Sequence, residues 1–307
     1  MNEKYAAEGG LTPVPLSLEG LEYARRTGGI YEGRALLCDA RMALHIDCGE
    51  TEGILPREEA LLTPDGGEAK DIAILSRVGK EVCFKVTGFT VGEDGKKRAL
   101  LSRKAAQREC FANRISRLSV GDVIDARVTH LEHFGAFCDV GCGIVALIPI
   151  DCISVSRIPH PSERFSVGQK ILAVVSGLEP NGETIRVSLS HRELLGTWEE
   201  NASSFSVGQT VAGIVRSVEP YGIFIELTPN LAGLAEYRTG VSVGDTAAVY
   251  IKNILPEKMK FKLVIVDIGR EETKPRPLFY RLPDSCRHLS RWVYSPPEST
   301  RVISKEF

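Results

Sequence analysis

The sequence has no long hydrophobic run. Its longest apolar stretch extends from residue 144 to residue 150 and includes Pro149, whereas a membrane-spanning helix needs roughly 20 apolar residues. The first thirty residues contain charges and prolines in place of a continuous apolar core, so no secretory signal is predicted. We therefore expect a cytoplasmic protein without a membrane span.

The sequence also lacks the short motifs of common enzymes and metal sites. It contains no GxxxxGK[ST], GxGxxG, GxSxG or HExxH pattern. None of the 8 cysteines forms a Cys-x-x-Cys pair, and the spacing of His130, His133, Cys138 and Cys142 fits no standard zinc pattern. We predict reduced, buried thiols, no metal, no cofactor and no catalytic residues.

A large excess of positive charge is missing as well. The chain has 38 basic and 40 acidic residues and a formal net charge of −2. This balance excludes a strongly basic nucleic-acid binder but leaves room for binding driven by base stacking. The hydrophobic fraction of 43% is sufficient for packed cores, so a folded chain is expected.

What the sequence does contain is an internal repeat. A pattern of Val-Gly, a polar residue, any residue and a small or apolar residue occurs five times, as VGKEV, VGDVI, VGQKI, VGQTV and VGDTA, starting at residues 78, 120, 167, 207 and 243. Glycines 28, 121 and 208 form one series and glycines 79, 168 and 244 a second. The two interleaved series indicate three copies of one unit with two halves each.

Each repeat contains short β-rich segments bounded by Gly, Pro or Asn. In the second repeat the predicted strands cover residues 123–128, 136–140, 144–148, 171–175 and 185–189. Turns are predicted at Gly141-Cys142-Gly143 and at Pro180-Asn181-Gly182. Five short strands in such a segment favour a small closed barrel, with residues 149–165 as a long connection between the third and fourth strands.

The second repeat, VGDVIDARVTHLEHFGAFCDVGCGIVALIP followed by FSVGQKILAVVSGLEPNGETIRVSLS, resembles an S1 RNA-binding domain, the five-stranded OB-fold module of the ribosomal S1 family. The third repeat looks like a shortened copy and the first like a divergent one. The layout as a whole resembles the short S1-like ribosomal proteins of Gram-positive anaerobes.

The resemblance implies an all-β protein of three tandem five-stranded OB-fold barrels of S1 type. A short capped helix from Ser17 to Arg26 is expected to pack on the first barrel. The predicted segments are an N-terminal extension (1–27), a divergent S1-like domain (28–112), an S1 domain (113–202), a shortened S1 domain (203–268) and an irregular, Pro-rich basic tail (269–307). The default for that tail is mobility, although Trp292 and Tyr294 could instead dock on the barrels or stack on RNA.

Two aromatic pairs are the strongest candidate binding residues. Phe134 and Phe137 flank Gly135-Ala136, and Tyr221 and Phe224 flank Gly222-Ile223. Residues three apart on a regular strand face opposite sides, but a glycine can hold a bulge that brings both rings to one face. Such rings either fill a barrel core or form an exposed platform for unpaired bases, and the S1 resemblance implies the platform.

Basic residues follow the same repeat. The predicted phosphate contacts are Arg127, Arg186, Lys258, Lys260 and Lys262. The last three alternate with Met259, Phe261 and Leu263, so three ammonium groups are expected on one face of a strand. In the first repeat, an offset of 93 residues places Arg41 and Leu44 at the ring positions, which predicts no platform there.

The sequence departs from the S1 pattern at other positions. The family's histidine after the third strand is replaced by Pro56, Pro149 and Glu236, and its aspartate before the last strand corresponds to about Asn181. We therefore expect only part of the family's binding surface.

These features predict a non-enzymatic protein that binds single-stranded RNA, in particular mRNA near the ribosomal small subunit. The first domain would dock on the small subunit or on another protein. The alternative is an adaptor whose barrels mainly contact a ribosomal or nuclease partner, which the negative net charge favours. An RNA-processing enzyme would need a further domain, and no remaining segment is long enough for one.

Overall fold

The computed structural model describes residues 3–92, 94–269, 278–283 and 285–307. Its strands form three closed five-stranded barrels, which confirms the predicted all-β class of three OB-type barrels. Around every barrel the strands follow one another in the order first, second, third, fifth and fourth. The third and last strands of each barrel pair in parallel.

The three barrels have strands of similar length and position. The first consists of β1 (Tyr31–Cys38), β2 (Leu44–Cys48), β3 (Thr51–Leu55), β4 (Glu81–Val91) and β5 (Lys97–Ser102). The second consists of β6 (Val123–Glu132), β7 (Gly135–Asp139), β8 (Val145–Pro149), β9 (Lys170–Asn181) and β10 (Thr184–Ser190). The third consists of β11 (Thr210–Glu219), β12 (Gly222–Thr228), β13 (Leu231–Ala235), β14 (Thr246–Leu255) and β15 (Lys260–Gly269).

Within the described residues, four short α-helices accompany the barrels. They are α1 (Leu18–Thr27), α2 (Asp71–Leu75), α3 (Arg103–Asn113) and α4 (Trp198–Ala202). The predicted helix is α1, and the hydroxyl of Ser17 accepts a hydrogen bond from the backbone N–H of Gly20. The other three helices were not predicted, although α3 begins at a capping serine, Ser102, whose hydroxyl accepts from Ala105 N–H.

The Val-Gly repeat has a common backbone role. Glycines 79, 121, 168, 208 and 244 all have φ between 78° and 97°, a left-handed conformation that a residue with a Cβ rarely adopts. The N–H of each donates to a carbonyl of the neighbouring first or fourth strand, as from Gly208 to Ile251 and from Gly244 to Val215. The repeat therefore marks the point at which each of these strands begins.

The chain forms two compact units. One comprises residues 1–119, 139–146 and 177–187, and the other comprises residues 120–138, 147–176 and 188–307. In the first unit, Leu21 and Ala24 of α1 belong to the same buried cluster as Leu44, Ile46 and Phe84 of the first barrel. The predicted packing of the N-terminal helix on the first barrel is confirmed.

In the second unit, the described part of the largely irregular tail contains one short sheet. Residues Arg291–Val293 (β16) and Ser304–Glu306 (β17) form a two-stranded antiparallel sheet. Trp292 and Tyr294 are buried in the core cluster of the third barrel, and Tyr294 Oη donates to the carbonyl of Asn230 over 2.5 Å. Of the two alternatives that the sequence left open for the tail, docking on a barrel is the one that Trp292 and Tyr294 adopt, because burial favours large aromatic side chains. Residues 270–277 of the predicted tail, and residue 284, lie outside the described part.

Candidate nucleic-acid interface

The first aromatic pair lies where β6 turns into β7. Phe134 is in the two-residue turn and Phe137 is the third residue of β7. Their ring centroids are 5.8 Å apart with the planes at 88°, and 55% of Phe134 is exposed. The two rings therefore lie side by side on the outside of the barrel, an arrangement onto which unpaired bases can stack.

The glycine between these rings allows two strands of the barrel to come close together. A Cβ on Gly135 would lie 2.4 Å from the carbonyl oxygen of Ile148 on β8, which no real side chain could tolerate. Gly135 is thus needed for the close approach of β8 to β7.

The second pair repeats this geometry in the third barrel. Tyr221 lies in the turn between β11 and β12, and Phe224 lies on β12. The centroids are 6.2 Å apart with the planes at 85°, and 69% of Tyr221 is exposed. The core of this barrel is filled by other side chains, such as Ile223, Ile225 and Phe261.

Lysines lie on the same outer face of the third barrel. Phe224 pairs with Leu234 on β13, and Leu234 pairs with Lys262 on β15. Paired residues on neighbouring strands share a face of the sheet, so Lys262 lies two strands from Phe224, roughly 10 Å away at the usual strand spacing. Lys260 is exposed on the same face, whereas Phe261 and Leu263 point into the core.

The predicted alternation is wrong at its first residue. Lys258 ends a 3-10 turn over Pro256–Lys258, and Met259 follows with φ of 49°. The left-handed Met259 separates the turn from β15, so Lys258 is exposed but does not belong to the row that Lys260 and Lys262 form. Pro256 was the sequence signal for that turn.

The two predicted arginines differ in their surroundings. Arg127 is half-buried on β6, opposite Lys170 of β9. Arg186 is exposed on β10. Because Ser188 pairs with Leu147 as Lys262 pairs with Leu234, Arg186 holds the position in the second barrel that Lys260 holds in the third. Their contact with RNA stays a prediction, as does that of the rings and lysines.

Sequence reasoning missed one ring beside the first pair. The imidazole of His130, on β6, stacks on Phe137 with centroids 6.3 Å apart and the planes at 24°, and its Nε2 lies 2.7 Å from Glu132 Oε1. His130 was considered only as a metal ligand. Its position four residues before Phe134 on the adjoining strand was the available signal.

The strand register corrects the ring positions assigned to the first barrel. Ile54 of β3 pairs with Leu100 of β5 as Leu234 pairs with Lys262, and the other partner of Ile54 is His45. His45 is therefore the counterpart of Phe224, and Met42, three residues earlier, is the counterpart of Tyr221. The predicted positions, Arg41 and Leu44, were each off by one residue. Leu44 is fully buried in the core.

In place of a ring pair, the first barrel has an ionic network. His45 Nδ1 lies 2.7 Å from Glu52 Oε1, and its Nε2 lies 3.3 Å from Asp39 Oδ2. Arg98 Nε donates to Glu52 Oε2 over 2.8 Å and Arg98 also pairs with Asp94. Burial disfavours the charged imidazole, but hydrogen bonds to Glu52 and Asp39 outweigh burial and raise the pKa of His45. Arg98 is thus already engaged by carboxylates.

Metal-binding clusters and membrane-spanning helices are absent from the part of the chain that the structure describes. In the described residues, no group of three or more His, Cys, Asp and Glu side chains is arranged to hold a metal ion. All eight cysteines lie in the described residues as thiols outside any disulfide, and five of them are buried. Within those same ranges, every helix is too short or too polar to cross a membrane.

Comparison with known proteins places the second barrel in a domain class. Residues 117–190 match the model of the S1 RNA binding domain, so the second barrel is an S1 domain, as the sequence resemblance implied. Its strands β6 to β10 all fall within that match.

A large part of the chain is similar to ribosomal proteins. It is 34% identical over 204 residues to the small ribosomal subunit protein bS1 homolog of Bacillus cereus, covering 64% of this chain and 50% of that protein. The homolog of Bacillus subtilis is 29% identical over 187 residues, with coverages of 58% and 47%. The chain thus spans about half the length of the curated relatives it matches. The solution structure of GSP13 from Bacillus subtilis is 28% identical over 25% of this chain and 57% of that chain, with a TM-score of 0.23.

Proposed function

We propose that this chain is a non-enzymatic cytoplasmic protein that binds single-stranded RNA, in particular mRNA at the small ribosomal subunit. The observation that carries the proposal is the recurrence of a ring pair in the second and third barrels, at 5.8 Å and 6.2 Å between centroids, in which Phe134 and Tyr221 are exposed. The S1 match of the second barrel and the ribosomal names of the relatives support it.

The chemistry of such a site is stacking with few ionic contacts. Base-aromatic stacking contributes about 1–3 kcal/mol per base and accepts every base, so little sequence preference is expected. Lys260 and Lys262 on the ring face of the third barrel would contact phosphates. The net charge of −2 leaves no broad basic surface for a larger electrostatic contribution.

A second function, protein docking, is favoured at the first barrel. The face of the first barrel that corresponds to the ring-bearing face of the other two contains the His45 network in place of rings. On β1 of the same barrel, Leu36 and Leu37 are 54% and 47% exposed. Side chains of this kind suit a protein partner better than a nucleic acid. We propose that the first barrel binds a protein of the small ribosomal subunit, while the other two bind RNA.

Titration of the full chain with a fluorescently labelled oligouridylate tests the RNA-binding function. The double substitution F134A/F137A should weaken binding about 5- to 150-fold, the equivalent of one stacked base. The matched control is M42A/H45A in the first barrel, which should leave affinity within about twofold because no ring pair exists there. Absence of measurable binding at low salt would refute RNA binding and leave docking as the function.

A further inference from the structure

Two histidines extend the ring surface of the second barrel. His133 lies in the β6–β7 turn next to Phe134 and is exposed, and His160 lies in the long connection between β8 and β9. Their ring centroids are 5.0 Å apart with the planes at 76°. Two elements separated by 27 residues in sequence thus bring two imidazoles together beside the ring pair.

The connection is held against the turn by backbone contact. The N–H of Ile150, at the start of the connection, donates to the carbonyl of Phe134 over 2.9 Å. Near its end, Phe165 is buried and stacks edge-on with His191 at 4.9 Å. Both ends of the connection are therefore held in place, and this restricts the position of the segment that contains His160.

The hydrogen bonds of His160 determine which of its nitrogens can serve a ligand. The backbone N–H of Ser162 donates to His160 Nδ1 over 3.2 Å, and Ser162 Oγ lies 2.8 Å from the same nitrogen. A neutral imidazole that accepts at Nδ1 carries its hydrogen on Nε2. In the described ranges neither Nε2 of His160 nor either ring nitrogen of His133 has a hydrogen-bond partner, so these atoms are available to RNA.

We propose that His133 and His160 form an additional nucleotide-binding subsite, which takes the nucleotide adjacent to those stacked on Phe134 and Phe137. An imidazole offers a face for stacking and an N–H for a phosphate or base oxygen. The inference rests on the proposed RNA-binding function and goes beyond it, because it assigns residues outside the two ring pairs.

The third barrel provides an internal contrast. Its corresponding turn has Pro220 where the second barrel has His133, and its connection between the third and fourth strands is too short to contain a counterpart of His160. The two barrels therefore share the ring pair and differ in the imidazoles. The second barrel should hold one nucleotide more than the third.

The test is titration of the full chain with a labelled oligouridylate of about 16 nucleotides, within the range that one OB barrel covers. We expect H133A to weaken binding about five- to tenfold and H133F to retain most of the affinity, since a phenyl ring also stacks. The matched control P220A, in the equivalent turn of the third barrel, should bind like the unmodified chain. H133A/H160A should lose less than the product of the two single losses, because the residues serve one subsite.

A second measurement is independent of affinity. Photo-crosslinking of the unmodified chain to RNA containing 4-thiouridine should yield a crosslink at His133 or His160 besides those at the ring pair. If H133A binds as tightly as the unmodified chain while F134A/F137A binds weakly, the subsite is overturned and the RNA-binding function stands. Equal losses in H133A and P220A, or crosslinks confined to the phenylalanines, would overturn it too. A chain that binds no RNA refutes both.

Discussion

His45 shows how one residue changes the character of an OB barrel. It occupies the position in the first barrel that Phe224 occupies in the third, but it lies between two carboxylates. Both of its ring nitrogens face a carboxylate oxygen, which suits the doubly protonated, charged imidazole. The position is thereby changed from an apolar stacking surface into part of an ion-pair network.

The raised pKa of His45 makes the stability of the first barrel depend on pH. A histidine whose pKa is higher in the folded state adds stability that is fully present below its ordinary pKa of about 6.5, and this stability is lost as the pH rises through the folded value. The partners stay charged in that window, because hydrogen bonds lower the pKa values of Asp39 and Glu52. H45Q should therefore lower the free energy of unfolding more at about pH 5.5 than at about pH 8.5. For a partly exposed network the difference should be up to about 1 kcal/mol.

Thermal unfolding of the full chain at both pH values measures this difference. H133Q is the control, since His133 forms no ion pair in the part of the chain that the structure describes. A cost of H45Q that is the same at both pH values would contradict the assigned role of the network.

At the scale of elements, a buried ion cluster joins a connection of the second barrel to strands of the third. Glu226 on β12 is fully buried, and its Oε2 accepts from Arg164 at 2.5 Å and from Arg216 on β11 at 2.6 Å. Arg164 follows the 3-10 turn over Pro161–Glu163, and Glu163 pairs with Arg216 at 3.0 Å. One carboxylate oxygen thus holds the two guanidinium groups.

Removing the central charge should be costly. E226Q leaves two buried guanidinium groups without their shared anion, and breaking a buried pair in this way costs about 3–5 kcal/mol. The matched control is E163Q. The Glu163 side chain is 35% exposed, so this substitution should lower the free energy of unfolding by less than about 1 kcal/mol. Urea unfolding of the full chain, followed by tryptophan fluorescence, measures both, because Trp198 and Trp292 lie in the core of the third barrel. Similar midpoints for the two variants would refute the central role of Glu226.

At the scale of the whole molecule, the charge balance limits how RNA can be bound. Five cations are candidate phosphate contacts, namely Arg127, Arg186, Lys258, Lys260 and Lys262. Each contact with a single strand contributes about −0.7 to the slope of log affinity against log salt concentration. The full chain should therefore show a slope no steeper than about −3.5.

Two variants separate stacking from charge in that titration. Y221A/F224A should lower affinity at every salt concentration and leave the slope unchanged, because stacking is not screened by salt. K260A/K262A should flatten the slope by about 1.4. A slope much steeper than −3.5 would show that cations outside this set neutralise phosphates and that binding does not depend chiefly on the rings.

The sequence by itself determined the barrels and the ring pairs. The five Val-Gly starts, the turn residues and the β-rich segments are local signals, and each acts through backbone geometry that neighbouring residues specify. For the same reason α1 was predictable from its capping serine. The ring pairs were found because they recur at one offset in two repeats, whereas their exposure was left open by the sequence, since Phe134 and Tyr221 lie in turns and only Phe137 and Phe224 lie on strands.

Only the tertiary structure decided which residues share a face across strands. Strand register decides which residue of the first barrel is the counterpart of Phe224. An error of one residue in that register assigns the position to Leu44, which is in the core, instead of to His45, which faces outward. The contact of His133 with His160 and the convergence of Arg164 and Arg216 on Glu226 join residues far apart in sequence, which no local pattern encodes. The tail became ordered because the third barrel supplies a core for Trp292 and Tyr294, and burial of an aromatic side chain depends on surfaces that exist only after the chain has folded.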